Sequence, residues 1–99
     1  MAARNISALE FATLNQGDKP ILVDYWAPWC GYCRRIGPAY DRLATEREDV
    51  EIVKINIDDE PLLANRERIE VIPTLVLYSR AQRHHPQGHD QGRLCRTEV

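Results

Sequence analysis

The chain has 99 residues, of which 43% are apolar and 28% are charged, and its formal net charge at pH 7 is −2. A chain of this length forms one small domain, which excludes a two-domain organisation. The near-neutral charge gives little electrostatic attraction to nucleic acid or to an anionic membrane, so we expect neither as a partner.

The apolar residues are distributed unevenly along the chain. They make up 39 of the first 78 residues but only 4 of the last 21. The last segment also has no apolar periodicity of a helix or a strand. The sequence therefore predicts a folded domain over residues 1–78 and a polar tail over residues 79–99 that is loop or disordered.

The first elements predicted in chain order are a helix and a buried strand. Residues 5–16 show helical apolar spacing, and Ser7 and Glu10 have the spacing of a capping box. Residues 21–26, ILVDYW, form a nearly continuous apolar run typical of a strand covered on both faces, interrupted by Asp24.

The remaining elements alternate between helix and strand. Residues 31–47 have helical apolar spacing and contain Pro38, and residues 50–57 are a second β-branched run. A short helix is predicted within residues 58–68, and residues 71–78 form a third strand opened by Pro73. Strand, helix and strand in this order indicate a parallel βαβ unit with a right-handed crossover, which makes the fold class α/β.

The sequence contains three cysteines, Cys30, Cys33 and Cys95. No segment resembles a targeting signal and no apolar run approaches the ~20 residues of a membrane span, which predicts a cytoplasmic location. Structural disulfides are rare in that compartment, and a close cysteine pair there is usually redox-active or metal-binding. Cys95 is a lone thiol without an assigned role.

The pair in WAPWCGYC lies where a strand turns into a helix. The free N–H groups and the dipole of a first helical turn stabilise a thiolate, which is the species that attacks a disulfide. We expect Cys30 to be the exposed nucleophile. Cys33, one turn further on, would attack the mixed disulfide and release the substrate, as the resolving thiol.

Two alternatives for the cysteine pair remain open. The first is half of a zinc site completed by His85 and His89, although Pro86 and Gly88 oppose a helix that would present both imidazoles on one face. The second is a pair of inert buried cysteines.

Asp24 and Pro73 are each unusual within a strand. A carboxylate in a buried strand is costly unless it is neutral, paired or useful, so Asp24 is either a surface-edge residue or an acid with a raised pKa near the active site. Pro73 indicates that the strand begins there or that the bond before it is cis. A cis bond would turn the Ile72 backbone outward, where a substrate strand could pair with it.

Together the runs VDYWAPWCGYCRRIGP, VKINID and VIPTL resemble the thioredoxin family over residues 6–78. The resemblance implies a thioredoxin-like fold, with a central mixed sheet flanked by helices. It also implies an oxidoreductase that reduces protein disulfides by dithiol–disulfide exchange. Such an enzyme needs no bound cofactor and no metal, and it receives electrons from a thioredoxin reductase.

The resemblance assigns a role to each matching residue. It implies that Cys30 is the nucleophile, that Cys33 is the resolving thiol, and that Asp24 relays a proton for Cys33 while the nearby Lys54 tunes it. The expected substrate-binding residues include Trp29 beside the nucleophile and a cis Pro73 facing the disulfide. They also include Gly31, Tyr32 and Ile72.

The sequence departs from the family at Tyr32 and in the tail. Tyr32 stands where typical members have proline, and we expect its backbone N–H to favour the Cys30 thiolate and make the reduction potential less negative. A disulfide oxidase or isomerase role is therefore the alternative activity.

The tail lacks the pattern of the family's last strand and C-terminal helix, so we expect both to be missing or irregular. A truncated or frameshifted end would explain this, and a catalytically weak binding module is a further alternative. We expect a monomer or a weak dimer.

Overall fold

The computed structural model describes residues 3–79, with their side chains, and the backbone of residues 93–98. Within these residues the chain forms five strands and three helices, in an alternating order that ends with two strands. The strands are β1 (Arg4–Asn5), β2 (Ile21–Trp26), β3 (Glu51–Asn56), β4 (Thr74–Tyr78) and β5 (Arg93–Glu98). The helices are α1 (Ala8–Leu14), α2 (Gly31–Glu46) and α3 (Pro61–Arg66).

The strands form one mixed sheet in the order β1-β3-β2-β4-β5. Strands β1 and β2 both run parallel to β3, whereas β4 is antiparallel to both β2 and β5. The βαβ unit predicted from the sequence is thus β2-α2-β3, and the predicted α/β class is confirmed. Because β2 is the central strand, the residues at its end and in the turn that follows lie midway along one end of the sheet.

The helices begin where their sequences predict. The Ser7 side chain accepts the Glu10 N–H at 3.1 Å and the Glu10 carboxylate accepts the Ser7 N–H at 3.4 Å, which is the predicted capping box at the start of α1. Pro61 is the first residue of α3, where its missing N–H costs nothing, and α2 continues through Pro38.

The core lies on both faces of the sheet. The larger cluster joins alternate residues of β2, β3 and β4 to α1 and α3, and its members Ile21, Val23, Tyr25, Ile55 and Val76 have no measurable exposure. The smaller cluster lies under α2 and is centred on Tyr40 and Ile52. Burying a large apolar side chain contributes about 1.5–3 kcal/mol, so the buried strand residues contribute strongly to the stability of the fold.

A chain of hydroxyl groups crosses the larger cluster. The hydroxyls of Tyr25 and Tyr78 lie 2.8 Å apart, and Tyr78 Oη donates to Glu67 Oε1 at 2.6 Å. The ring of Phe11 meets that of Tyr78 edge-on, with the centroids 4.9 Å apart. This network connects the central strand to the residue that follows α3.

The prediction of loop or disorder over residues 79–99 is wrong for residues 93–98. These residues form β5, which pairs with the whole of β4 and has a register irregularity at Leu77/Tyr78. The strand forms by backbone pairing with β4. Its sequence lacks the alternation of apolar and polar residues by which a strand is predicted. The last strand, expected to be missing or irregular, is thus present with an irregular register, and within the described residues no helix follows β4. Residues 80–92 lie outside the described residues.

Candidate active site

The two cysteines lie at the start of α2, directly after the turn that leaves β2. Cys30 is the N-cap of the helix and Cys33 is in its first turn. The backbone N–H of Cys33 donates to Cys30 Sγ at 3.2 Å, and both residues are free thiols. The first N–H groups of a helix have no partner within the helix, and here one of them donates to Cys30 Sγ. A nucleophilic cysteine must be a thiolate, and this donor would stabilise that form.

Cys30 is the more exposed of the two site cysteines, but both are buried. Its residue exposure is 8%, against 4% for Cys33. Cys30 is buried by the segment before β4: the Cys30 thiol lies 3.8 Å from the carbonyl oxygen of Ile72, to which it donates. The bond between Ile72 and Pro73 is cis, as the resemblance to the family implies.

Cys33 is the more strongly perturbed thiol. Burial raises its pKa well above the ordinary value, and a hydrogen bond with the Cys30 side chain and the nearby charges of Cys30 and Asp24 raise it further. The protonated thiol form of Cys33 is therefore favoured at neutral pH.

Asp24 lies in the middle of β2 and is 2% exposed, which rules out a surface-edge position. Burial raises its pKa from 3.8 to about 6, and the positive charge of Lys54 opposes part of that rise. Its Oδ1 atom is buried and has no hydrogen-bond partner within the described part of the chain. Asp24 thus combines a raised pKa with a free acceptor oxygen, as expected of a group that exchanges a proton.

Lys54 is the register partner of Asp24 on the adjacent parallel strand β3. Its ammonium nitrogen lies 4.9 Å from the centroid of the Trp26 ring, and the indole Nε1 of Trp26 donates to Asn5 Oδ1 at 2.7 Å. Sequence reasoning missed Asn5 and Trp26 as neighbours of the site. The register of the sheet brings Asn5 and Trp26 close to Lys54. No pattern in the sequence indicates this register.

The expected substrate-binding residues surround the cysteines. Trp29 is 66% exposed, and its Nε1 donates to Asp58 Oδ2 at 2.9 Å. Tyr32 is 53% exposed, with the Arg35 guanidinium 5.9 Å from its ring centroid. Gly31 is exposed, and a Cβ built there would meet no atom within 4 Å.

Two findings concern the Ile72–Pro73 segment and the amide that donates to Cys30. Pro73 is fully buried next to the half-buried Ile72, so only part of the Ile72–Pro73 segment is open to a substrate. The amide that donates to Cys30 Sγ belongs to Cys33, whereas the sequence analysis expects this donor at Tyr32.

The zinc alternative requires further ligands beside the two cysteines. Within residues 3–79, no group of three or more His, Cys, Asp or Glu side chains is arranged to hold a metal ion. His85 and His89 lie outside the described residues, as does the side chain of Cys95.

No helix of the described chain is long and apolar enough to cross a membrane.

Comparisons with known proteins agree with this geometry. Residues 5–96 match the family model described as Thioredoxin. Thioredoxin from Porphyra purpurea is 48% identical over 67 residues, which are 67% of this chain and 63% of the relative. Thioredoxin 1 from Synechococcus elongatus is 46% identical over 65 residues, which are 65% of this chain and 61% of the relative. The matched region is thus less than two thirds of the length of these curated relatives.

Solved structures show the same fold. Spinach chloroplast thioredoxin F superposes with a TM-score of 0.81 at 24% identity, covering 98% of this chain and 80% of that one. Fasciola hepatica thioredoxin superposes with a TM-score of 0.79 at 26% identity, covering 97% of this chain and 85% of that one. The match over residues 5–96 and the cysteine pair at the start of α2 lead to one conclusion: the chain belongs to the thioredoxin family.

Proposed function

We propose that the protein is a thiol–disulfide oxidoreductase that reduces protein disulfides, with Cys30 as the nucleophile and Cys33 as the resolving thiol. The observation that carries this proposal is the hydrogen bond from the Cys33 N–H to Cys30 Sγ at the start of α2. An amide donor stabilises a sulfur anion, and the helix start adds a favourable dipole.

The reaction has two exchange steps. In the first, the Cys30 thiolate attacks one sulfur of the substrate disulfide, forms a mixed disulfide and displaces the other substrate sulfur, which takes up a proton. In the second, the Cys33 thiolate attacks Cys30 Sγ, forms the Cys30–Cys33 disulfide and releases the remaining substrate thiolate. Two electrons pass from the dithiol to the substrate. The second step is intramolecular and is therefore favoured over attack by an outside thiol.

Asp24 is the proposed proton acceptor for Cys33. Because burial raises the pKa of the Cys33 thiol, the second step needs a base. Asp24 has a pKa of about 6, so its ionised form predominates at neutral pH, and its buried Oδ1 is free of hydrogen bonds within the described residues. Lys54 favours the ionised form of Asp24 and so keeps the base available.

The substrate surface is proposed to consist of Trp29, Gly31, Tyr32, Ile72 and Pro73. Two exposed aromatic rings and a glycine without steric neighbours leave room for an extended peptide over Cys30. The backbone of Ile72 is the proposed site of strand pairing with the substrate. Such pairing would place a substrate sulfur beside Cys30, because the Ile72 carbonyl is already 3.8 Å from Cys30 Sγ.

Regeneration of the dithiol requires an external two-electron donor. A thioredoxin reductase is the proposed partner, by resemblance to the family, and the cytoplasm is the proposed location. Substrates are protein disulfides, and the described side chains that carry the two exchange steps require no bound cofactor.

A disulfide-reduction assay tests the proposal. The Cys95→Ser protein, which retains only the two site cysteines, should reduce insulin disulfides in the presence of dithiothreitol. In that background Cys30→Ser should abolish turnover, and Cys33→Ser, mixed with insulin in the absence of dithiothreitol, should accumulate a mixed disulfide with the substrate, seen by mass spectrometry. A folded Cys95→Ser protein without turnover would contradict the proposal and favour a binding module.

The oxidase or isomerase alternative uses the same residues, and Tyr32 within the cysteine motif is the observation that favours it. The reduction potential separates the two activities, because a strong oxidant has a destabilised disulfide. Equilibration with glutathione buffers measures the reduction potential. A Cys30–Cys33 disulfide that persists only in strongly oxidising buffer would favour the oxidase or isomerase activity.

A further inference from the structure

We propose that Asn5 is a positioning residue for Asp24, because its side chain anchors the Trp26 indole across β3 and the indole holds the Lys54 ammonium beside the buried carboxyl. The consequence for catalysis rests on the proposed function, in which Asp24 accepts the proton of Cys33. Its geometric basis is the register of three strands and two side-chain contacts.

The register of the sheet places three of these residues in one row. Asn5 on β1 is the partner of Lys54 on β3, and Lys54 is the partner of Asp24 on β2. Partners on neighbouring parallel strands project from the same face of the sheet, and Trp26, two residues after Asp24, shares that face. Lys54 is thus flanked by Asn5 on one side and by Asp24 on the other.

The indole of Trp26 bridges this row. Trp26 lies on β2, yet its Nε1 reaches Asn5 Oδ1 on β1 at 2.7 Å, so the ring must pass over the intervening strand β3. The Lys54 ammonium lies 4.9 Å from the ring centroid, within the range of a cation–π attraction. A lysine side chain is otherwise flexible, and this contact limits where its charge can be.

The charge of Lys54 matters because little else favours the ionised form of Asp24. Within the described residues, the ionisable groups that interact with Asp24 are Lys54 from β3 and Cys33 and Tyr40 from α2. The charge of Asp24 raises the pKa of both Cys33 and Tyr40, so these two groups stay neutral and supply no positive charge to the carboxylate. Of these groups, Lys54 supplies the positive charge that favours ionised Asp24. If the indole is released, the ammonium is free to move into solvent and Asp24 holds its proton more tightly.

The experiment is a titration of the Asp24 carboxyl by carbon-13 NMR in the reduced protein, together with a double-mutant cycle. Asn5→Leu removes the acceptor at similar size, and Trp26→Phe keeps an aromatic ring but removes the Nε1 donor. Each should lower the ionisation constant of Asp24 by about threefold, and the double variant should lower it no further than either single variant. Asn65→Leu, the same change at an exposed position on α3, should leave it unchanged.

Three results would overturn the inference: an unchanged Asp24 titration in Asn5→Leu, effects of the two variants that add, or an equal effect of Asn65→Leu. If Asn5→Leu does not fold, as judged by circular dichroism, Trp26→Phe alone decides. The titration does not need turnover. A protein that fails to reduce insulin but shows the predicted titrations would therefore contradict the proposed function and not the role of Asn5.

Discussion

Asp24 and Lys54 face each other across β2 and β3, but burial outweighs the attraction of the ammonium, so the pKa of Asp24 is raised to about 6. The ionised carboxylate is therefore less stable in the folded chain than in the unfolded chain. The ionised form of Asp24, the proposed proton acceptor, thus lowers the free energy of unfolding.

The first prediction concerns the stability of Asp24→Asn as a function of pH. The folded pKa of about 6 lies above the ordinary value of 3.8, so the folded state binds more protons between these values and loses stability as pH rises through them. The whole penalty applies well above pH 6. In the reduced state, the free energy of unfolding of Asp24→Asn minus that of wild type should be about 2–3 kcal/mol larger at pH 8 than at pH 4. Urea unfolding of both proteins at the two pH values measures this difference.

The matched control for that variant is Asp59→Asn. Asp59 is exposed, so this variant makes the same change in net charge without removing a buried carboxylate, and its effect should stay within about 0.5 kcal/mol at both pH values. A pH-independent effect of Asp24→Asn would show that its carboxyl is not perturbed.

The second prediction concerns the reactivity of Cys33. Since burial raises the pKa of this thiol, little thiolate is present at neutral pH. In the Cys30→Ser, Cys95→Ser protein, Cys33 should react with iodoacetamide at pH 8 at least about tenfold more slowly than a cysteine in an unstructured peptide, as followed by mass spectrometry. Denaturation in urea should abolish the difference. Equal rates in the folded and unfolded protein would contradict the prediction.

The third prediction separates substrate contact from stability at Gly31. A Cβ at Gly31 or at Gly37 meets no atom within 4 Å, and both glycines are in α2. Neither Gly31→Ala nor Gly37→Ala should destabilise the protein, and Gly37→Ala should add about 0.5–1 kcal/mol.

The two variants should differ in the reduction of insulin. If a substrate peptide passes over Gly31, the added methyl group should raise KM severalfold for Gly31→Ala and not for Gly37→Ala. The same KM for both would remove Gly31 from the proposed substrate surface.

The fourth prediction concerns the hydroxyl chain of Tyr25, Tyr78 and Glu67. Tyr78→Phe removes a group that is bonded to both Tyr25 and Glu67, and we expect it to cost about 1–3 kcal/mol. Tyr25→Phe leaves the bond between Tyr78 and Glu67 and should cost less. The double variant should be less destabilised than the sum of the two by about 0.5–1.5 kcal/mol, as measured by urea unfolding. Additive effects would show that the two hydroxyls do not interact.

Local signals in the sequence predict most of the elements. The Ser7 and Glu10 capping box is a pattern within four residues, and the apolar run around Asp24 identifies a buried strand without any knowledge of its neighbours. The resemblance to the family then predicts the placement of the cysteines and the cis bond before Pro73.

The contacts between distant residues are the ones that the sequence analysis misses. Strand β1 has two residues, too few for any periodicity, and β5 is formed by backbone pairing with β4. The contact between Asn5 and Trp26 spans 21 positions of sequence, and that between Tyr25 and Tyr78 spans 53. Such contacts depend on strand register, which is a property of the assembled sheet.

The antiparallel return of β5 along β4 has a practical consequence. Glu98 is the register partner of Thr74, the residue directly after Pro73. The end of the described chain thus comes back to the end of the sheet where a substrate would be held. A reporter group attached at position 98 would therefore lie on the strand next to the proposed substrate surface, while both reactive sulfurs stay unmodified.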